Sequence, residues 1–186
     1  MPRTSDKRER LVRSADALIL KQGFRQTTLA HIAEDSGVPL GNVYYYFKSK
    51  EEIGKTVIES RVQHVRQMLQ EAATAASPKD RLYAVLQYPL SIQETLTTSG
   101  CPLGTLAYEL SRVDSTTLQP ASRQLISEML DWSTEQFRQM GKADAHDLGL
   151  QFVSNLQGMS LMANTLGDPE VVTRMVERTR QWLDTL

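Results

Sequence analysis

The 186 residues predict an all-α protein: a three-helix head carrying a helix-turn-helix, then a larger helical body, about nine helices in all. Three observations lead there. Apolar residues recur at i, i+3 and i+4 through almost every segment. No alternating strand pattern, internal repeat or low-complexity tract interrupts them. Finally, Ser, Thr, Asp, Pro and Gly fall where helices should start and stop.

The first helix should run from about Lys7 to Gln22, with Ser5 or Asp6 as cap, Leu11, Ala15, Leu18 and Ile19 facing inward, and Gly23 ending it. Thr27 and Thr28 can cap the second, whose Leu29, Ile32 and Ala33 share one face. Gly37 stops that helix, and a left-handed glycine there turns the chain so that Val38 tucks between the two helices. Pro39 fits the edge of a third helix over Leu40 to Phe47, with Val43 and Phe47, four apart, as its inner face. The fourth, from Lys50 to about Ala76, carries Ile53, Val57, Val65, Met68 and Leu69 and is long enough to join head to body.

Ser77-Pro78-Lys79-Asp80 opens the fifth helix, with serine as cap, proline in the first turn and aspartate closing a capping-box pattern. It bears Leu82, Val85, Leu86, Leu90 and Leu96 and ends at Gly100; Pro89 removes a backbone donor, so a kink is expected there. Further helices follow over Pro102 to about Arg112, about Leu118 to Met140, and Asp144 to about Leu166. Asp168-Pro169-Glu170 starts the last, which packs Val171, Val172, Met175 and Trp182.

The net charge is only −1, but it is divided along the chain. Residues 1–55 hold 10 Lys/Arg against 7 Asp/Glu, and residues 56–186 hold 11 against 15. A mildly basic head can be drawn to phosphates while an acidic body stays clear. No stretch approaches the ~18 apolar residues of a membrane span, and the charged start MPRTSDKRER leads into no signal-peptide segment, so a cytoplasmic protein without membrane contact is expected. Cys101 is the single cysteine, which excludes an internal disulfide framework and a multi-cysteine zinc site.

Chemistry concentrates between Thr27 and Lys50. Leu40, Asn42, Tyr44, Tyr45 and Tyr46 fall on the outward and flanking faces of the third helix, and a small head cannot bury three tyrosines. A tyrosine ring packs on sugars or a thymine methyl while its hydroxyl bonds a phosphate oxygen, so a helix placed in DNA is one reading. A half-buried packing stripe on an all-α protein-interaction scaffold is another. A helical enzyme is the third: His31, His64 and His146 match no metal-ligand spacing, and the chain has neither a phosphate-cradling glycine loop nor a nucleophile motif. Neither catalysis nor a cofactor or metal is expected.

The segment GFRQTTLAHIAEDSGVPLGNVYYYFKSKEEI resembles the DNA-binding signature of the TetR family of bacterial transcriptional regulators. The likeness includes Gly23-Phe24, Thr27-Thr28, Ile32-Ala33, Ser36-Gly37-Val38, Gly41, Tyr44, Tyr46-Phe47 and Ser49-Lys50-Glu51. It departs at Pro39, where a small polar residue is usual, and at Asn42, where threonine is common. The resemblance implies a DNA-binding domain over residues 1–50, with the helix-turn-helix at about 28–47, and an effector-sensing and dimerisation domain over 51–186. It implies phosphate contacts by Thr28, Tyr44, Tyr46 and Lys50, with Lys48 as an electrostatic addition. Pro39, Leu40, Gly41, Asn42 and Tyr45, at the exposed leading part of the third helix, are then the candidates for base edges: Asn42 for adenine, Leu40 for a thymine methyl, and Gly41 for close backbone approach. The implied partners are double-stranded operator DNA, a second copy of the chain and a small-molecule effector that relieves repression.

In the body, LGLQFVSNLQGMSLMANTL is apolar around much of its circumference. One face fits its own body and the other needs a partner. With the final helix it resembles the pair through which family members dimerise; the other reading is a central helix of a monomer's core. SGCPLGTLAYEL resembles a body motif of the branch that includes regulators responding to electrophiles and oxidants. Cys101 there precedes Pro102 and should cap the next helix, a position that favours thiolate, or else is a small packing residue. A pocket lined by Tyr83, Leu86, Leu103, Tyr108, Trp132, Phe152 and Met159 is the competing sensor, although each also suits an ordinary core.

Overall fold

A computed structural model describes residues 4–186, and the side chains from Asp6 onward. The described residues form ten helices and no strand. They are α1 (Thr4–Gln22), α2 (Leu29–Ser36), α3 (Leu40–Tyr46), α4 (Lys50–Ala72), α5 (Pro78–Ser91), α6 (Gln93–Ser99), α7 (Pro102–Leu110), α8 (Leu118–Gln139), α9 (Ala145–Leu166) and α10 (Glu170–Asp184).

Two differences from the expected elements have physical reasons. Helix α1 begins at Thr4, so Asp6 lies within its first turn, where a carboxylate favours the positive end of the helix dipole, rather than at the cap. The segment expected as one kinked helix is two. Pro89 is accommodated inside α5, and the break comes at Ile92, whose φ of −117° and ψ of 23° leave the helical region. This break raises the expected count of about nine helices to ten.

The chain forms two compact units. The first comprises the residues up to Arg61 together with Thr105–Gln124; the second comprises Val62–Gly104 and Leu125–Leu186. The expected boundary at residue 50 did not include residues 105–124 with the head. Their apolar side chains Leu106, Leu110 and Leu118 are buried.

In the first unit α1 packs on α2 and α2 on α3, around Leu11, Ala15, Ile19, Phe24, Ile32, Val38, Val43, Phe47, Ile53 and Val57, all buried. Polar ties fix the stack. Ser14, buried in α1, donates to the Ile32 carbonyl, and Arg10 donates to the Ser36 carbonyl. The Arg61 guanidinium, also buried, donates to Asp16 Oδ1 at 2.6 Å and so ties α4 to α1. Arg61 is the buried member and Asp16 is 45% exposed, so removing Asp16 leaves the desolvated guanidinium with one partner fewer, whereas removing Arg61 returns Asp16 to water.

The second unit has its own core, with Leu82, Leu86, Phe137, Phe152, Met159, Val172 and Leu183 among its buried members. Helix α10 packs on α5 and α9, and α6 on α9. Ser77 caps α5 as its sequence predicts: its hydroxyl accepts from the Asp80 amide at 3.1 Å and donates to the Asp80 carboxylate at 2.6 Å. No described helix is long and apolar enough to cross a membrane.

Candidate nucleic-acid interface

The outer face of α3 is built by exclusion. Val43 and Phe47 are 0% and 1% exposed and fasten the helix to the head, so the residues between them must point elsewhere. Leu40 is 40% exposed, Tyr44 49% and Tyr45 70%, while Pro39 and Gly41 are also exposed and Asn42 and Tyr46 are half-buried. Tyr46 is held edge-on against Tyr45, with ring centroids 5.0 Å apart. A β-carbon on Gly41 would meet nothing within 4 Å, so this helix start is open to a close-approaching surface.

The turn before α3 is fixed by backbone chemistry. Thr28 takes an extended conformation and its hydroxyl accepts from the His31 amide at 3.1 Å, capping α2 and leaving the exposed hydroxyl its own proton to donate. Gly37 ends α2 at φ 64°, with its amide directed to the Ala33 and Glu34 carbonyls. Any side chain there would be strained and would meet the Arg10 guanidinium at 3.0 Å.

Cations gather at the far end of α3. Lys48 Nζ donates to the Tyr44 carbonyl at 2.9 Å and so caps the helix C-terminus, where a positive charge is favoured. Lys50 Nζ donates to the Arg25 carbonyl at 2.8 Å and stands 4.6 Å from the centre of the Phe24 ring. Partial burial pulls this ammonium below the usual lysine range, against the opposing charge of Glu109. Glu109 has no place in the local helix-turn-helix pattern. It lies more than eighty residues along the chain from the turn it contacts, and no local pattern signals such a partner.

In the second unit Cys101 Sγ is half-buried and accepts from the Gly104 amide at 3.4 Å, the expected cap of α7. Burial raises the Tyr88 phenol, assisted by charge on Cys101, and Tyr88 Oη lies 3.2 Å from His64 Nε2. No local pattern marks that pairing, whose members lie 24 residues apart. Of the candidate pocket residues, Leu86, Phe152 and Met159 are buried in one core, with Tyr83, Leu103 and Trp132 packed against it. Tyr108 is not with them: it belongs to the first unit, is 63% exposed and has the Arg112 guanidinium 4.8 Å from its ring centre. On α9, Leu148, Phe152, Leu156, Met159 and Ala163 are buried, whereas Leu150, Leu161, Met162 and Leu166 are exposed.

The family model for "Bacterial regulatory proteins, tetR family" matches residues 11–55. The transcriptional regulator LmrA of Bacillus subtilis is 31% identical over 144 residues, 75% of this chain and 76% of the relative. The transcriptional repressor NemR of Escherichia coli is 32% identical over 99 residues, 52% of this chain and 50% of the relative. Among solved structures, the reduced form of E. coli NemR superposes with a TM-score of 0.82 at 22% identity, over 93% of this chain and 94% of that one. A regulator from Chloroflexus aurantiacus reaches 0.85, also at 22% identity, over 99% and 97%. The match spans the head and continues through the body, and the outward α3 face lies inside the matched segment: this chain belongs to the TetR family and is a DNA-binding transcriptional regulator.

Proposed function

We propose that the chain is a repressor that binds a near-palindromic operator as a homodimer and is released by a signal acting on its second unit. The observation that carries the DNA reading is the outer face of α3, where Leu40, Tyr44 and Tyr45 stand exposed while Val43 and Phe47 are buried in the head. In this reading Thr28, Tyr44, Tyr46, Lys48 and Lys50 hold phosphates and set register, while Pro39, Leu40, Gly41, Asn42 and Tyr45 meet base edges. One such helix covers only a few base pairs, so two heads related by a dyad are needed to read successive major grooves.

The exposed apolar residues of α9 support dimerisation through α9 and α10. Leu150 and Leu161, about three helical turns apart and so on one face of α9, are 43% and 66% exposed, and a second copy laid on this face would remove them from water. For the signal, Cys101, whose Sγ accepts from the Gly104 amide at the start of α7, is the candidate thiol for electrophile modification. A small apolar effector is the second reading, supported by the core that gathers Leu86, Phe152 and Met159 with Tyr83, Leu103 and Trp132 against it. The protein acts in the cytoplasm, where its DNA is, and performs no catalysis.

Selecting bound duplexes from a random pool tests the reading directly. A repeated, dyad-related motif enriched by the wild type, and lost when an electrophile treats the wild type but kept in Cys101→Ser, is the expected outcome. Enrichment of no motif sinks the operator reading; equal release of wild type and Cys101→Ser sinks the thiol.

A further inference from the structure

We infer that Glu109, on α7, is a positioning residue for DNA binding: its carboxylate holds the Gly23–Arg25 turn, and that turn holds the Lys50 ammonium at the start of α4. The inference rests on the proposed role of Lys50 as a phosphate contact.

The geometry is a short relay. Glu109 Oε2 accepts from the Phe24 amide and Oε1 from the Arg25 amide, both at 2.7 Å. Two successive amides following a glycine at φ 85° form a small concavity of the kind that binds anions, and here the anion is supplied by the chain itself. The fit is close: a β-carbon on Gly23 would meet the Glu109 oxygens at 3.1 and 3.3 Å. Arg25 is gripped a second time, its guanidinium donating to the Arg112 carbonyl at 3.1 Å. The other end of the same residue faces Lys50, whose Nζ donates to the Arg25 carbonyl. Phe24, whose amide Glu109 holds, also supplies the ring beneath that ammonium. Both partners that fix Lys50 therefore belong to the two residues whose amides the carboxylate binds.

This arrangement opposes simple electrostatics, which makes it decidable. A carboxylate close to a phosphate-binding lysine should repel DNA, so its removal should tighten binding if charge alone mattered. Positioning demands the opposite. Binding of the full chain to its selected duplex and to an unrelated duplex is measured by fluorescence anisotropy for wild type, Glu109→Ala, Glu109→Gln, Lys50→Ala and the double variant. Backbone exchange at Phe24 and Arg25 is followed in parallel.

Glu109→Ala is expected to weaken both complexes by about tenfold, the scale of a lost charge-assisted hydrogen bond, with sequence preference unchanged and the two amides exchanging faster. Glu109→Gln, which keeps one acceptor, should fall between. On the Lys50→Ala background the same change should cost less than about twofold, because the group it positions is gone. Unchanged or tighter binding by Glu109→Ala beside a weakened Lys50→Ala overturns the inference alone. Undiminished binding by Lys50→Ala overturns the phosphate reading and the inference with it. If exchange rises across the whole head of Glu109→Ala, Glu109→Gln decides by the same criteria.

Discussion

Lys50 Nζ stands 4.6 Å from the centre of the Phe24 ring, so a residue expected on phosphate is held over an aromatic face and partly removed from water. The sign of its pH effect follows. Its proton is lost below the ordinary lysine value of 10.5, and between that lowered pKa and 10.5 the unfolded chain binds more protons than the folded one. Through this group, stability therefore rises with pH in that window while affinity for DNA falls. Comparing wild type with Lys50→Ala in anisotropy and urea titrations from neutral to alkaline pH checks both signs. A shared direction for the two differences would refute the assignment.

Phosphate and base contacts should separate by mutation. Tyr44→Phe is expected to weaken all duplexes about equally, whereas Asn42→Ala should shift the preferred sequence at one position per half-site, with discrimination changing by about 1–3 kcal/mol. Sequencing the duplexes each variant selects distinguishes them. An unchanged motif for Asn42→Ala counts against its place on a base edge.

Gly54 faces the Phe24 ring from α4. A β-carbon there would come 2.6 Å from the Phe24 ring, which is buried beneath Lys50. Gly54→Ala gains helix propensity yet must displace the ring, and overpacking of this kind costs about 1–3 kcal/mol. Thermal or urea unfolding should show a net loss. Gly158→Ala on α9, where the added carbon meets nothing within 4 Å, should show none.

Tyr83 offers a spectroscopic check of the second unit. Desolvation, then the hydrogen bond it donates to Asp184, push its phenol up to about 12. Its neutral form is the one the fold favours, so this stabilisation is complete below pH 10 and is lost as pH rises toward about 12. Ultraviolet titration should reveal a late-ionising tyrosine that disappears in Tyr83→Phe and moves earlier in Asp184→Asn. Persistence of the late step in Tyr83→Phe would assign it elsewhere.

The elements that local chemistry marks were readable in advance. Ser77 and Asp80 form their cap, Gly37 takes its left-handed turn, and Val43 and Phe47 face inward, because each depends on neighbours within four residues. What escaped depends on distance along the chain. Glu109 on the Phe24 and Arg25 amides, Arg61 on Asp16 and Tyr88 beside His64 are pairings that only the packed helices create. The break at Ile92 escaped for another reason. Proline announces a disturbed helix but does not say whether the helix bends or stops, nor at which residue. Thr28 shows a subtler gap: its hydroxyl already caps α2, so Thr28→Ala removes about 1 kcal/mol of helix stability together with any DNA contact, whereas Thr28→Asp, which accepts for the cap but has no proton to donate, keeps the two roles apart.

The bare leucines of α9 have a consequence for dosage. If two copies close over Leu150 and Leu161, the operator-competent species grows as the square of chain concentration while monomers prevail, so halving synthesis thins it about fourfold. Repression would then give way steeply as cells dilute the protein by growth, a threshold set by the polish of one helix face and independent of any signal the second unit receives.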